Sequence, residues 1–348
     1  MQKLIYLLLL IPSLLFSQEL QLSPSTASIK NFYVLDVTDG RKDTLNNGMI
    51  SLNNKKTAAE FKYGAASQME VFASSLLKNE EKIPIVLQIN KLLLSDRTSG
   101  STRIYKVDLS LEFMRSDKGL NTKLIELSTW MEQGAGKNAK GIHEKVLSEI
   151  LKKMFLQFDE LIIKQQNDPL FCKEIIFRVL SKHPANTGEE SDTIYWSSDR
   201  KLTWDDFKGE PNSSYFAALS NCAFAQAIEP VVENKTGYIN IYIRSALLKK
   251  GSWVRKSQSD DDVLNHEQLH FDIAEWQVRS LRKSISEADL NLEMYEVTIN
   301  KLTDVAWKQY NKIQADYDEE TAHGTIVEKQ QSWNKLVAEK LAELEKYQ

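Results

Sequence analysis

The plainest alternation in the chain runs through residues 105–113. Tyr105, Val107, Leu109, Leu111 and Phe113 are apolar, and Lys106, Asp108, Ser110 and Glu112 between them are polar. A period of two predicts a strand with one buried face and one wet face. Residues 123–131 predict its hairpin partner across the polar stretch 116–121. Residues 32–37 and 83–94 are apolar, β-rich runs, and 65–77 suits a helix. From 139 to 164 the period becomes helical, with Ile142, Val146, Ile150, Met154, Phe158 and Leu161 in one stripe. The order β-α-β-β-β-α predicts a sheet with helices packed on one face.

Residues 170–183 fit a helix or a strand equally well. The polar stretch 187–192 reads as a linker. Beyond it, 217–228 and 238–243 predict strands, and from 260 onward nearly everything is helical. One seam there steps by three and four through Leu264, Glu267, Phe271, Ala274, Val278, Leu281 and Ile285. The fold class is therefore α+β. A sheet-and-helix domain over 18–165 precedes a connecting segment and linker over 166–192. A mostly helical domain with a small sheet follows over 193–348.

The first residues change where this chain is expected to work. Lys3 precedes an apolar run over 4–16, and Ser17 is a small residue suited to a cleavage site. This is the pattern of a signal peptide over 1–17, and it predicts an exported protein, periplasmic or secreted. The run is short for a membrane span and no second one follows, so no transmembrane segment is expected after cleavage. A net charge of −4, with both signs interspersed, argues against a nucleic-acid or anionic-membrane partner. The two cysteines, Cys172 and Cys222, are not spaced as a metal or redox motif. A disulfide and two buried thiols both fit.

The chemistry concentrates at His266-Glu267-Gln268-Leu269-His270. Histidines four apart on a helix share one face, where both imidazoles can hold one metal ion. Ser259 as N-cap, with Asp262 three residues on, gives that helix a start. Glu267 is the one polar residue in the apolar seam. A carboxylate there is costly unless a charge compensates it, and a zinc ion beside it would do so. Glu267 is then the general base of a water-activating site. His143-Glu144 begins in the same way, but Leu147 stands where the second histidine would be. That pair is read as surface helix residues.

The C-terminal half resembles the family of predicted secreted zinc-dependent proteases catalogued as a domain of unknown function, DUF922. The matching stretches are Leu202-Thr203-Trp204-Asp205-Asp206-Phe207-Lys208-Gly209, Ser252-Trp253, Leu264 to Ile273 around the histidine pair, and Tyr317-Asp318-Glu319-Glu320-Thr321-Ala322-His323-Gly324. The resemblance implies a zincin-like metallopeptidase domain acting on a protein or peptide substrate. Zinc needs a third protein ligand. His323, in the last of those stretches, is the first candidate, with Asp318 and Glu320 as alternatives. Asp272 and Tyr317 are candidates for supporting contacts to the ligands. The N-terminal half resembles small sheet-and-helix domains of Gram-negative envelope lipoproteins, through its element order and the turn Asp36-Val37-Thr38-Asp39-Gly40-Arg41. It lacks their lipid-bearing cysteine and is a candidate docking module for an envelope partner. Two competing readings are a non-catalytic binding or assembly factor on a metallopeptidase-like fold, and a zinc hydrolase of a non-peptide amide.

Overall fold

The computed structural model describes residues 19–52, 55–76, 78–79, 81–137, 139–183, 192–212 and 215–348. The leader read at 1–17 and residues 187–191 of the polar linker lie outside the described residues. The chain forms two compact units, Met1–Gln165 and Gln166–Gln348. Among the described residues, no helix is long and apolar enough to cross a membrane.

The first unit runs β1 (Phe32–Asp39), β2 (Gly48–Leu52), β3 (Lys55–Ala58), α1 (Ala65–Ala73), β4 (Ile83–Ser99), β5 (Thr102–Asp117), β6 (Leu120–Gly136) and α2 (Ile142–Lys164). Its sheet has the order β3-β2-β4-β5-β6, with β1 pairing parallel to β4. The five apolar residues of the 105–113 alternation are all buried on β5. Between β5 and β6 the chain turns at Lys118 and Gly119, with φ of 50° and 82°. That left-handed backbone matches strand twist in a two-residue hairpin. The β2–β3 hairpin is an addition to the expected order. Its strands are four and five residues long and carry too few apolar positions to announce themselves.

The α2 stripe closes the core as expected through Val146, Ile150, Met154 and Phe158, and Phe158 stacks on Phe113 at 4.3 Å. His143 is not a surface residue. It is only 5 % exposed, because it shares the buried helix face with Leu147 four residues on. Its Nε2 lies 3.6 Å from Asp96 Oδ2. The Asp96 carboxylate also accepts from Ser51 N (2.6 Å), Ser51 Oγ (2.7 Å) and Lys56 Nζ (2.6 Å).

This polar end of the core ties unit stability to pH. Burial acts to raise the Asp96 carboxyl, but hydrogen bonds from Lys56 and Ser51 outweigh it and bring it from 3.8 down to about 2. Burial pushes the His143 imidazole below its ordinary 6.5, and neighbouring Asp96 only partly restores it. Asp96 therefore stabilises the fold above its unfolded value, and that contribution is lost as pH falls from 3.8 to about 2. His143 acts in the same direction, since the unfolded chain takes up its proton first below 6.5. Asp96→Asn should lower the stability of this unit at neutral pH by about 2 kcal/mol. It should also flatten the acid limb of its unfolding curve, measured by urea titration across the acid range.

The second unit contains β7 (Ile175–Leu180), β8 (Thr193–Tyr195), β9 (Ala218–Leu219), β10 (Cys222–Glu233), β11 (Thr236–Leu248), β12 (Trp253–Val254), α3 (Asp261–Glu287), α4 (Tyr295–Thr321) and α5 (Val327–Glu343). β11 is the central strand. β10 pairs with it antiparallel, β7 parallel and β8 antiparallel, while β9 and β12 form a short separate ladder. The connecting segment 166–192 is thus more than a connector. It supplies a sheet strand, and the unit begins at Gln166 rather than at 193. Six residues, five of them apolar, give no period long enough to distinguish strand from helix, and pairing to β11 decides it.

α3 packs Val278, Leu281 and Ile285 against Ile239, Ile241 and Ile243 of β11. Its other sides meet α4 and α5. Its N-cap is Asp260, whose Oδ1 accepts from Val263 N at 2.9 Å; Ser259 lies outside and donates to Lys256 O. A fragment starting at 166 should fold cooperatively on its own. One starting at 193 leaves the β7 edge of β11 bare and should melt lower or aggregate, as read by circular dichroism and light scattering.

Candidate metal centre

α3 brings His266, Glu267 and His270 to one stretch of helix, and α4 lays its last turn across them. The end of that helix carries Tyr317 and Asp318. The helix stops at Ala322, His323 and Gly324, with φ of 46°, 53° and 82°. A side chain at Gly324 would meet the His266 ring at 3.0–3.1 Å, so the turn lies against His266 only because residue 324 is glycine.

Three donor atoms converge here. His266 Nε2 lies 3.1 Å from His270 Nε2, and Asp318 Oδ1 is 3.3 Å from the first and 3.1 Å from the second. These three residues form a group able to hold a metal ion. Donors about 2.0–2.2 Å from one tetrahedral ion stand roughly 3.3–3.6 Å apart, close to the spacing seen.

The far side of each imidazole decides what its near side offers. His270 Nδ1 meets Gln314 Oε1, which can only accept, so Nδ1 carries the proton. Gln314 Nε2 in turn donates to His270 O at 2.9 Å. His266 Nδ1 lies 2.7 Å from Tyr317 Oη and 3.2 Å from Gln330 Oε1. Tyr317 donates its hydroxyl proton to Gln330 Oε1 at 2.8 Å, leaving its oxygen to accept from His266 Nδ1. Burial holds the Tyr317 phenol well above its ordinary range, so it keeps that proton. Both Nε2 atoms thus present lone pairs to a carboxylate oxygen, and only a cation, a proton or a metal ion, reconciles the three. Burial would raise Asp318, but once a proton is on the imidazoles their hydrogen bonds and charge outweigh it and hold its carboxyl well below the usual carboxylate range. Burial likewise opposes charge on His270, and Asp318 and Glu267 overcome it and raise its pKa.

Glu267 is 3 % exposed, and its Oε2 receives no hydrogen bond among the described residues. His323 stands aside from the trio. Its Nδ1 is 3.5 Å from Asp318 Oδ1, its side chain is 53 % exposed, and its ring packs on Phe216. Glu320 accepts from Trp333 Nε1 at 3.1 Å, facing away. Asp272 accepts from Trp196 Nε1 (2.6 Å) and Gln268 Nε2 (2.8 Å), and supports the loop before β9 rather than a histidine. Tyr317 sits behind His266, where it fixes the ring. Gln314 and Gln330 are not legible in the sequence, since glutamines on a helix carry no signal distinguishing them from a wet face. Cys172 and Cys222 are both buried and are not joined by a disulfide, which resolves the alternatives for them.

Residues 249–324 match the family model of bacterial proteins of unknown function, DUF922. The DUF922 match takes in both histidines, Glu267, Gln314, Asp318 and His323, and ends before α5. No curated protein matches the chain. Among solved structures, a Xanthomonas campestris protein of family DUF330 matches 42 % of this chain and 94 % of its own, at 7 % identity and a TM-score of 0.27. An uncharacterized protein matches 41 % and 98 %, at 10 % identity and a TM-score of 0.19. Neither likeness bears on the site.

The geometry puts Asp318 ahead of His323 as third ligand. Asp318→Ala should strip a divalent ion from the protein under mild chelation. His323→Ala should keep it, as read by elemental analysis after dialysis.

Proposed function

We infer that the second unit is a zinc-dependent metallopeptidase, exported by its leader and acting on protein or peptide substrates in the periplasm or outside the cell. The reading is carried by one observation: two imidazole lone pairs and a carboxylate oxygen converge beside a buried glutamate with a free oxygen. His266, His270 and Asp318 would hold the ion, leaving the solvent side of the trio for substrate. When bound, the ion supplies Lewis acidity and makes water a nucleophile near neutral pH. Glu267 Oε2 accepts the proton of the attacking water and delivers it to the departing amine. A site that served only to bind metal would have no use for this carboxylate. It follows His266 directly and is buried without a partner for one of its oxygens. The N-terminal unit serves in this reading as the docking module for an envelope partner.

Glu267→Gln keeps size and shape and removes the base. It should retain zinc at wild-type stoichiometry and lose about 10²–10⁴-fold in hydrolysis of a mixed peptide library, followed by mass spectrometry. Full activity in that variant would falsify the mechanism and leave the binding-factor reading.

A further inference from the structure

Gln314 and Asp318 lie one turn apart on α4, so both project from one face of that helix. Between them they hold a single imidazole. Gln314 Oε1 takes the Nδ1 proton of His270, and Asp318 Oδ1 lies 3.1 Å from its Nε2. Gln314 also binds the backbone of the same residue, through Nε2 to His270 O at 2.9 Å. That carbonyl belongs to the middle of α3, so the amide of one helix is anchored to both the ring and the main chain of the other. The orientation of the Gln314 amide follows from this second bond. With Nε2 engaged by a carbonyl, only Oε1 can face the ring.

We propose that Gln314 is a positioning residue that fixes His270 in its Nδ1–H tautomer, with the Nε2 lone pair turned toward His266 and Asp318. The inference deepens the metal-centre reading and rests on it for its consequence, although the tautomer itself does not require metal. A free imidazole distributes its proton between both nitrogens and rotates about two side-chain bonds. An imidazole whose Nδ1–H is engaged offers Nε2 to the ion in a single orientation, so less ordering remains when the ion arrives. The acceptor is also neutral. A carboxylate in that place would add a third negative charge to Glu267 and Asp318, within a buried cluster. The amide directs the ring without adding charge. His266 has a different arrangement, because Tyr317 and Gln330 share its Nδ1–H and losing one leaves the other. His270 has Gln314.

The test uses the full chain with its metal removed, above the imidazole titration range. Nitrogen-15 NMR distinguishes protonated from bare ring nitrogens. In the wild type, His270 should show protonated Nδ1 and bare Nε2. Gln314→Met keeps the length and loses the acceptor. It should give a mixed His270 tautomer, an unchanged His266 signal, and zinc affinity about 10–100-fold weaker by chelator competition. If Gln314→Met does not fold, Gln314→Glu keeps an acceptor oxygen and should keep the wild-type tautomer. A wild-type His270 protonated at Nε2 overturns the proposal, as does a Gln314→Met protein with unmixed tautomer and wild-type zinc affinity. Wild-type protein with the expected tautomer but no zinc uptake would support the Gln314 assignment and sink the metallopeptidase reading instead.

Discussion

A buried polar group must find a partner, and helix α3 puts that requirement at the centre of the second unit. The helix is enclosed by the sheet on one side and by α4 and α5 on the others, yet it carries charge on most of its turns. Lower down, Glu275 accepts from Ser245, Arg279 and Arg282, all within the core. One turn above, Asp272 is matched by Trp196 and Gln268, and Gln268 by the backbone of Leu202. Leaving such groups unmatched costs on the order of 1–3 kcal/mol each. Among the described residues the matching stops short at the level of His266 to His270, at Glu267 Oε2 and Asp318 Oδ1, and again further along the helix at Gln277 Oε1 and at Arg282 Nε and Nη1. What sets the level of His266 to His270 apart is that its two imidazoles and the Asp318 carboxylate converge on one point, where a cation would satisfy all three at once.

The same requirement explains the composition of the two flanking helices. Where α4 and α5 reach the histidines they present Gln314, Tyr317 and Gln330. Each can accept or donate without a net charge. Apolar residues there would leave two ring N–H groups without partners, and carboxylates would crowd a site that already holds two. Behind them the packing is ordinary, with Tyr317 stacked on His266 at 4.7 Å and Trp333 beyond it.

What could be read from the sequence was what depends on local period. The alternation on β5, the α2 stripe and the α3 seam each extend over many residues, so their elements and buried faces were legible. Glu267 was legible for the opposite reason, as the exception inside a regular seam. β7 was ambiguous because it is short. His323 stands before Asp318 in the sequence reading because it is the remaining histidine of the domain over 193–348. Which of the two faces inward depends on where α4 ends, and it ends on Ala322 and His323 in left-handed backbone, positions that carry no glycine to mark them. The burial of His143 is not legible locally, because a lone polar residue in an apolar stripe looks like its edge, whereas its partners Asp96 and Lys56 come from strands far away in the chain.

The turn between α4 and α5 acts as a ruler. Asp318 and Gln330 stand twelve residues apart, and both touch the ring of His266, one at Nε2 and one at Nδ1. Between them lie the left-handed residues 322–324, with residue 324 pressed against that same ring. A residue inserted or deleted in the helical part of this interval, before Gln330 on α5, would turn the following side chains by about 100° about the helix axis. Gln330 would swing off His266 even if every side chain were kept. Substitutions across the exposed parts of this turn are tolerable on these grounds, but a change of length is not. In lineages that keep the site, this interval should drift in composition while holding its residue count.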